Sequence, residues 1–280
     1  KQHLVDDQVI DQFYNGEEVV IQRDEAKIYP HQFVMLISSD NDKKTALAKF
    51  ISYSSPLRKV LKHKNVWGLK PRNKEQSFAI DLLMDPSVSV VSLVGKAGSG
   101  KTLCAIAAGL EQTLETGKSK EAPYKRLIVS RPIQPMGKDL GYLPGTLEEK
   151  MDPWLSPIWD NLEFMMGDKK TVDMYVDDGI IEIEALTYIR GRSIANAYLV
   201  IDEAQQLTQH EVKTILTRVG ENTKIVFTGD IEQIDNVYVD EFSNGLTYVV
   251  ERFKPYDLSG HVKMEKGERS KVATLAAKVL

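Results

Sequence analysis

The 280-residue sequence predicts an α/β protein, a parallel sheet with helices on both faces, preceded by a small β-domain. Three observations lead there. From Pro71 onward, short and strongly apolar runs alternate with helix-forming stretches, the pattern of parallel strands buried on both sides. The run at residues 90–94 passes through a glycine-rich turn straight into one of those helices. Ahead of Pro71, apolar and polar residues instead alternate over short spans split by turn formers.

Taken in order, residues 18–67 hold "VVIQRD", "HQFVMLISS" and "ALAKFISYS", separated by segments such as "SSDNDKK", and predict a small barrel or sheet. Its basic stretch, Arg58, Lys59, Lys62 and Lys64, suits either a solvated face or a nucleic-acid contact. "GLKPRNKEQ" reads as a linker because Pro71 ends regular structure, which divides the chain into domains at residues 1–69 and 70–280. The second domain runs through a strand at 88–94, a helix to about residue 115, the strand "RLIVS" and a helix over 147–166. The strands "IIEIEAL" and "YLVID", a helix from Thr208 and the strand "KIVFTG" follow.

Bulk composition excludes several classes. A net charge of −4 and a pI near 5.8 give no global attraction to nucleic acid, so any such contact needs a local basic surface. A single cysteine, Cys104, forms no internal disulfide, sits among alanines as a buried thiol would, and fits a reducing cytoplasm. No apolar run approaches the roughly 20 residues of a membrane span, and "KQHLVDDQ" has no signal core.

"SLVGKAGSGKTLCAIAA" fits G-x-x-x-x-G-K-[ST] at every required position, between a strand and a helix. Gly95, Gly98 and Gly100 can turn successive N–H groups toward one point, to which the new helix adds its positive end. With Ser99 they form a phosphate loop in which Lys101 reaches the β and γ phosphates and Thr102 places its hydroxyl on magnesium. The domain is therefore expected to be a P-loop NTPase of the RecA-like kind. Asp202 and Glu203 close the strand "YLVID" at the carboxyl edge of the sheet, where ligands bind in open α/β folds. Asp202 suits magnesium and Glu203 suits the attacking water, a pair that signals hydrolysis. Gln233, after "KIVFTGD", can contact the γ phosphate. Asn73 and Gln76 lie about one helical turn apart and offer amides for the adenine edge, which favours ATP over GTP.

The segments "GKAGSGKT", "IDEAQ" and "GDIEQID" resemble superfamily-one helicase motifs. Closer still, "SRPIQPMGKDLGYLPGTLEEKMDPWLSPIWDNLE", "LTYIRGRS", "SNGLTYVVERF" and "GHVKMEKGERSKVATLA" resemble the PhoH family, in particular the ATPase half of PIN–PhoH proteins, from about Phe33 to the end. Gln205 and Gln206 depart slightly, standing where that family commonly has Gln followed by Asn. The resemblance implies an ATP-dependent, RNA helicase-like protein that forms a hexameric ring, with a PIN ribonuclease domain upstream; nuclease activity is not expected of this chain. It supports Lys101, Thr102, Asp202, Glu203 and Gln233 in the roles above, and places Arg269 of "KGERS" where an arginine finger is expected. One ATPase core lacks a second domain to supply that arginine, so it must come from a neighbouring subunit, as a cyclic homo-oligomer would allow, or fold back within the same one. Arg131, Lys138, Arg190 and Arg192 are candidates for single-stranded RNA, and the same arginines suit a subunit interface or the nucleotide. An ATP-dependent switch acting on a partner ribonuclease, without unwinding, is the alternative function.

Overall fold

The computed structural model describes residues 1–23, 27–63, 65–114, 122–133, 147–189 and 192–267. The N-terminal part is an open four-stranded sheet with one helix: β1 (Gln2–Val5), α1 (Asp7–Asn15), β2 (Phe33–Ser38), β3 (Thr45–Lys49) and the short β4 (Arg58–Lys59). Spatial order follows chain order, with β1 parallel to β2 and the other pairs antiparallel, so this is a sheet and not a barrel. The expected strand "VVIQRD" is absent from residues 19–22. Val19 and Ile21 are buried there as a strand's alternation demands, but they pack on the core without a ladder, and Leu57 N–H to the Val19 carbonyl (2.7 Å) ties the segment down.

The rest builds the expected α/β layer. It contains α2 (Lys74–Met84), β5 (Val90–Gly95), α3 (Lys101–Thr113), β6 (Arg126–Arg131), α4 (Leu147–Met166) and α5 (Lys169–Asp177). Then come β7 (Ile181–Ala185), α6 (Leu186–Ile189), β8 (Ala197–Ile201), α7 (Gln209–Leu216), β9 (Lys224–Gly229), α8 (Gly245–Phe253) and β10 (Ser259–Met264). The six strands form one parallel sheet in the order β10-β5-β9-β8-β6-β7. Alternation within β8 shows why both faces are covered. Tyr198 and Val200 join the core under α2, α3 and α4, whereas Leu199 and Ile201 join the one under α7 and α8.

The two sheets are clipped together by buried chemistry. Lys49 at the end of β3 donates to Asp81 at 2.6 Å and to Asp85 at 2.8 Å, both carried by α2 or its cap. Asp81 also accepts the Leu61 N–H at 2.7 Å. Phe33 of β2 stacks on Phe78 of α2 with centroids 4.2 Å apart. Among the described residues, no helix is long and apolar enough to cross a membrane.

Candidate functional site

The carboxyl ends of β5, β8 and β9 converge on one cavity of about 260 Å³, lined by Gly98, Gly100, Lys101, Thr102, Asp202, Glu203 and Gln233 among others. The loop entering α3 turns through positive φ at Gly98 (78°) and Gly100 (85°), as a cradle of N–H groups requires. Gly95 is needed for a different reason. Its backbone is ordinary, but a Cβ there would stand 2.1 Å from the Met264 carbonyl oxygen of β10, so close strand approach, and not phosphate, excludes a side chain.

Lys101 is buried at the start of α3 and its ammonium donates to the Lys96 carbonyl at 3.0 Å. Burial pulls its pKa below the ordinary value, and Asp230, Glu203 and Asp202 pull it back up. The Thr102 hydroxyl donates to Asp202 Oδ1 at 2.8 Å, and Thr228 of β9 donates to the same oxygen at 2.6 Å. Asp202 itself is 5% exposed. Its carboxylate is thus oriented by two hydroxyls, one of them from the loop.

Glu203 follows with φ 54 and ψ 39, a left-handed conformation rare for a residue with a side chain. Gln205 Nε2 donates to its Oε2 at 2.5 Å, and Arg131 at the end of β6 stands 3.3 Å from its Oε1. Gln205 reaches further, donating to the Gln233 carbonyl at 3.0 Å and accepting the Asp230 N–H at 3.2 Å. Gln206 accepts the N–H groups of Asp235 and Asn236 at 2.9 and 3.0 Å. Asp230 accepts the Ala97 N–H of the phosphate loop at 3.1 Å. The two glutamines therefore sew the acid-bearing turn to the segment after β9, and Asp230 sews that segment to the loop.

Three carboxylates, Asp202, Glu203 and Asp230, face two cations, Lys101 and Arg131. Such a balance repels a bare polyphosphate and fits one that arrives with a divalent cation. Among the described residues no cluster of three or more His, Cys, Asp or Glu could hold a metal alone.

A second cavity of about 690 Å³ opens beside the first, sharing Gly98, Gly100 and Leu103 with it and walled by Trp67, Pro71, Gln76 and Phe164. Its apolar and aromatic walls match a nucleobase. Gln76 lines it, while its Nε2 donates to the Ser99 carbonyl at 3.2 Å and its Oε1 accepts the Arg72 N–H at 2.9 Å. Asn73 is spent as the N-cap of α2, accepting the Gln76 N–H at 2.9 Å. Arg192 lies away from the cavity, paired with Glu182 and Glu184 of β7 at 3.0 Å each. Lys138, Arg190 and Arg269 lie outside the described residues. Sequence reasoning assigned no role to Asp230, Gln205 or Gln206. The signal was present in "DEAQQ" and "TGD", but amides and acids beside a strand end are common, and only the tertiary fold shows what they join.

A parallel sheet with a phosphate loop leaving one strand and two acids closing another defines a P-loop NTPase of RecA-like α/β fold. Residues 68–279 match the family described as PhoH-like protein, and the chain belongs to the PhoH family. It is 47% identical over 285 residues to Protein PhoH2 of Bacillus subtilis (strain 168), covering 100% of this chain and 63% of that protein. To Protein PhoH2 of Thermobispora bispora it is 37% identical over 266 residues, covering 94% and 58%. To Protein PhoH2 of Mycolicibacterium smegmatis it is 40% identical over 218 residues, covering 78% and 48%. The chain thus spans 48–63% of the length of these relatives. Among solved structures, an unliganded Pif1 from Bacteroides sp matches over 75% of this chain and 45% of its own, with 15% identity and a TM-score of 0.34.

Proposed function

We propose that the chain binds ATP with magnesium and hydrolyses it, and that it works on single-stranded RNA as a helicase-like ATPase in a ring. The observation that carries the hydrolytic part is the Thr102–Asp202–Glu203 arrangement: a loop hydroxyl on one carboxylate, and the next carboxylate held in a strained backbone by an amide and an arginine. Backbone outliers of this kind cluster where function demands them. In this reading the loop amides and Lys101 hold the β and γ phosphates, and Thr102, with Asp202 behind it, holds the magnesium ion. Magnesium, when bound, neutralises charge developing on the phosphates. Glu203 orients a water and takes its proton; Gln233, exposed at the cavity rim, reads the γ phosphate. Arg131, paired with Glu203, fits the nucleotide role better than RNA contact.

The RNA and ring parts rest on the family relationship and on the arginine chemistry of residues 190 and 192. Arg269 is the finger offered to a neighbouring subunit, which such residues reward with roughly three to five decades in rate. The test is the ATPase rate per subunit against protein concentration, with and without single-stranded RNA, and after mixing with Arg269→Ala protein. The ring reading expects the specific rate to rise with concentration and with RNA, and to fall more than in proportion on mixing. A rate indifferent to all three means that each monomer completes its own site and works without RNA.

A further inference from the structure

On the far side of the residue 70–76 segment from the phosphate loop lies a groove of about 840 Å³, bounded by α1, β3, residues 59–63 and the first turns of α2. Its charge has one sign. Among the described residues Lys59, Lys62, Lys70 and Lys74 line it, and no carboxylate does. On the flanking elements, Lys44 holds Asp7 and Asp11, and Lys49 holds Asp81 and Asp85. None of the four lysines forms an ion pair with a described residue, in a chain whose net charge is −4.

Between these cations the lining is largely apolar. Tyr14 is 58% exposed and Leu61 60% exposed at its rim, with the Phe78 ring beside them. The rim is built in advance, because Tyr14 Oη donates to the Thr45 carbonyl at 2.8 Å and Lys59 Nζ to the Tyr14 carbonyl at 3.0 Å. His63 also lines the groove, and its Nε2 is buried without a hydrogen-bond partner.

We propose that this groove binds single-stranded nucleic acid, and that its occupancy is relayed to the nucleotide cavity through residues 70–76. Lysines over exposed ring and aliphatic faces match a ligand that alternates phosphates with unstacked bases. An acidic peptide would meet the charge but offers no flat faces, and a duplex hides its bases. The relay is physical continuity: Lys70 and Pro71 line both this groove and the cavity with nucleobase-like walls, and Gln76, on the same segment, holds the Ser99 carbonyl of the phosphate loop. Only the relay rests on the ATPase reading; binding stands alone.

The test titrates the full chain into a fluorescent oligouridylate, without nucleotide, at several salt concentrations. Lys62→Glu with Lys74→Glu is compared with wild type, and Lys62→Gln with Lys74→Gln guards against a misfolded reversal. The reversal is expected to weaken binding at least about tenfold, and loss of two phosphate contacts lowers the salt slope by about 1.4, at ~0.7 per contact on a single strand. The glutamine pair falls between. The RNA concentration giving half-maximal stimulation of ATP turnover rises. Unchanged affinity and slope overturn the proposal, as does polyglutamate that displaces the RNA at equal charge concentration, which assigns the groove to acidic peptides. Wild-type protein that never hydrolyses ATP sinks the relay and the ATPase reading while leaving the binding result to be read on its own.

Discussion

Glu203 sits in a left-handed backbone that costs a residue with a Cβ roughly 1–2 kcal/mol, and Gln205, Arg131 and the turn at residues 204–206 hold it there. Nothing in "YLVIDEAQQ" announces that strain. The sequence motif places the two acids at the strand end because polar residues stop an apolar run, but φ is set by the tertiary contacts that follow. His261 of β10 shows the same limit. Burial pulls its pKa down to about 4, helped by Lys254 and His31 and opposed by Glu251, and its Nδ1 has no partner. A folded pKa below the unfolded value means that the unfolded chain binds the extra proton first. Stability is therefore full above about pH 6.5 and is lost as pH falls toward 4, by about 3 kcal/mol for this shift. Urea titrations of wild type and His261→Gln across that range should show the wild type losing ground to the variant as the pH drops; a difference independent of pH would mean that His261 is not buried neutral.

At the scale of elements, five of the six strands of the parallel sheet are legible because each is a short, largely apolar run bounded by helix formers, and α3 because a glycine loop precedes it. Other elements are not. β10 reads "SGHVKM", too mixed to signal a strand, and becomes one by pairing with β5 along its whole length. α1 spans nine residues, too short to stand alone, and depends on Ile10 and Phe13 packing under the N-terminal sheet. The contact between β3 and α2 is likewise invisible in sequence, since Lys49 and Asp81 are 32 residues apart. Both are nearly fully buried, 4% and 1% exposed, so removing one partner strands the other's charge. Lys49→Met is expected to cost about 3–5 kcal/mol, a magnitude typical of broken buried pairs, read as a lowered denaturation midpoint. Lys49→Met with Asp81→Leu should recover only part of it, because Asp85 still lacks its lysine and the Leu61 N–H its acceptor, and a single variant as stable as wild type would show that the pair holds nothing together.

For the whole molecule, the architecture makes one device from three strand ends. β5 delivers the phosphate loop, β8 the acids, and β9 the segment that Gln205, Gln206 and Asp230 stitch to both. α2 extends the device outward, with Gln76 on the loop and Lys74 and Phe78 in the basic groove. The measurement that tests this account most directly compares magnesium-dependent ATP binding and hydrolysis in wild type and Glu203→Gln. With the loop, Lys101, Thr102 and Asp202 untouched, the variant should bind ATP as the wild type does and hydrolyse it about 100-fold or more slowly, the scale of a lost general base. Turnover at the wild-type rate would contradict the role of Glu203, and a variant that no longer binds ATP would mean that this carboxylate shapes the cavity and does not act on water.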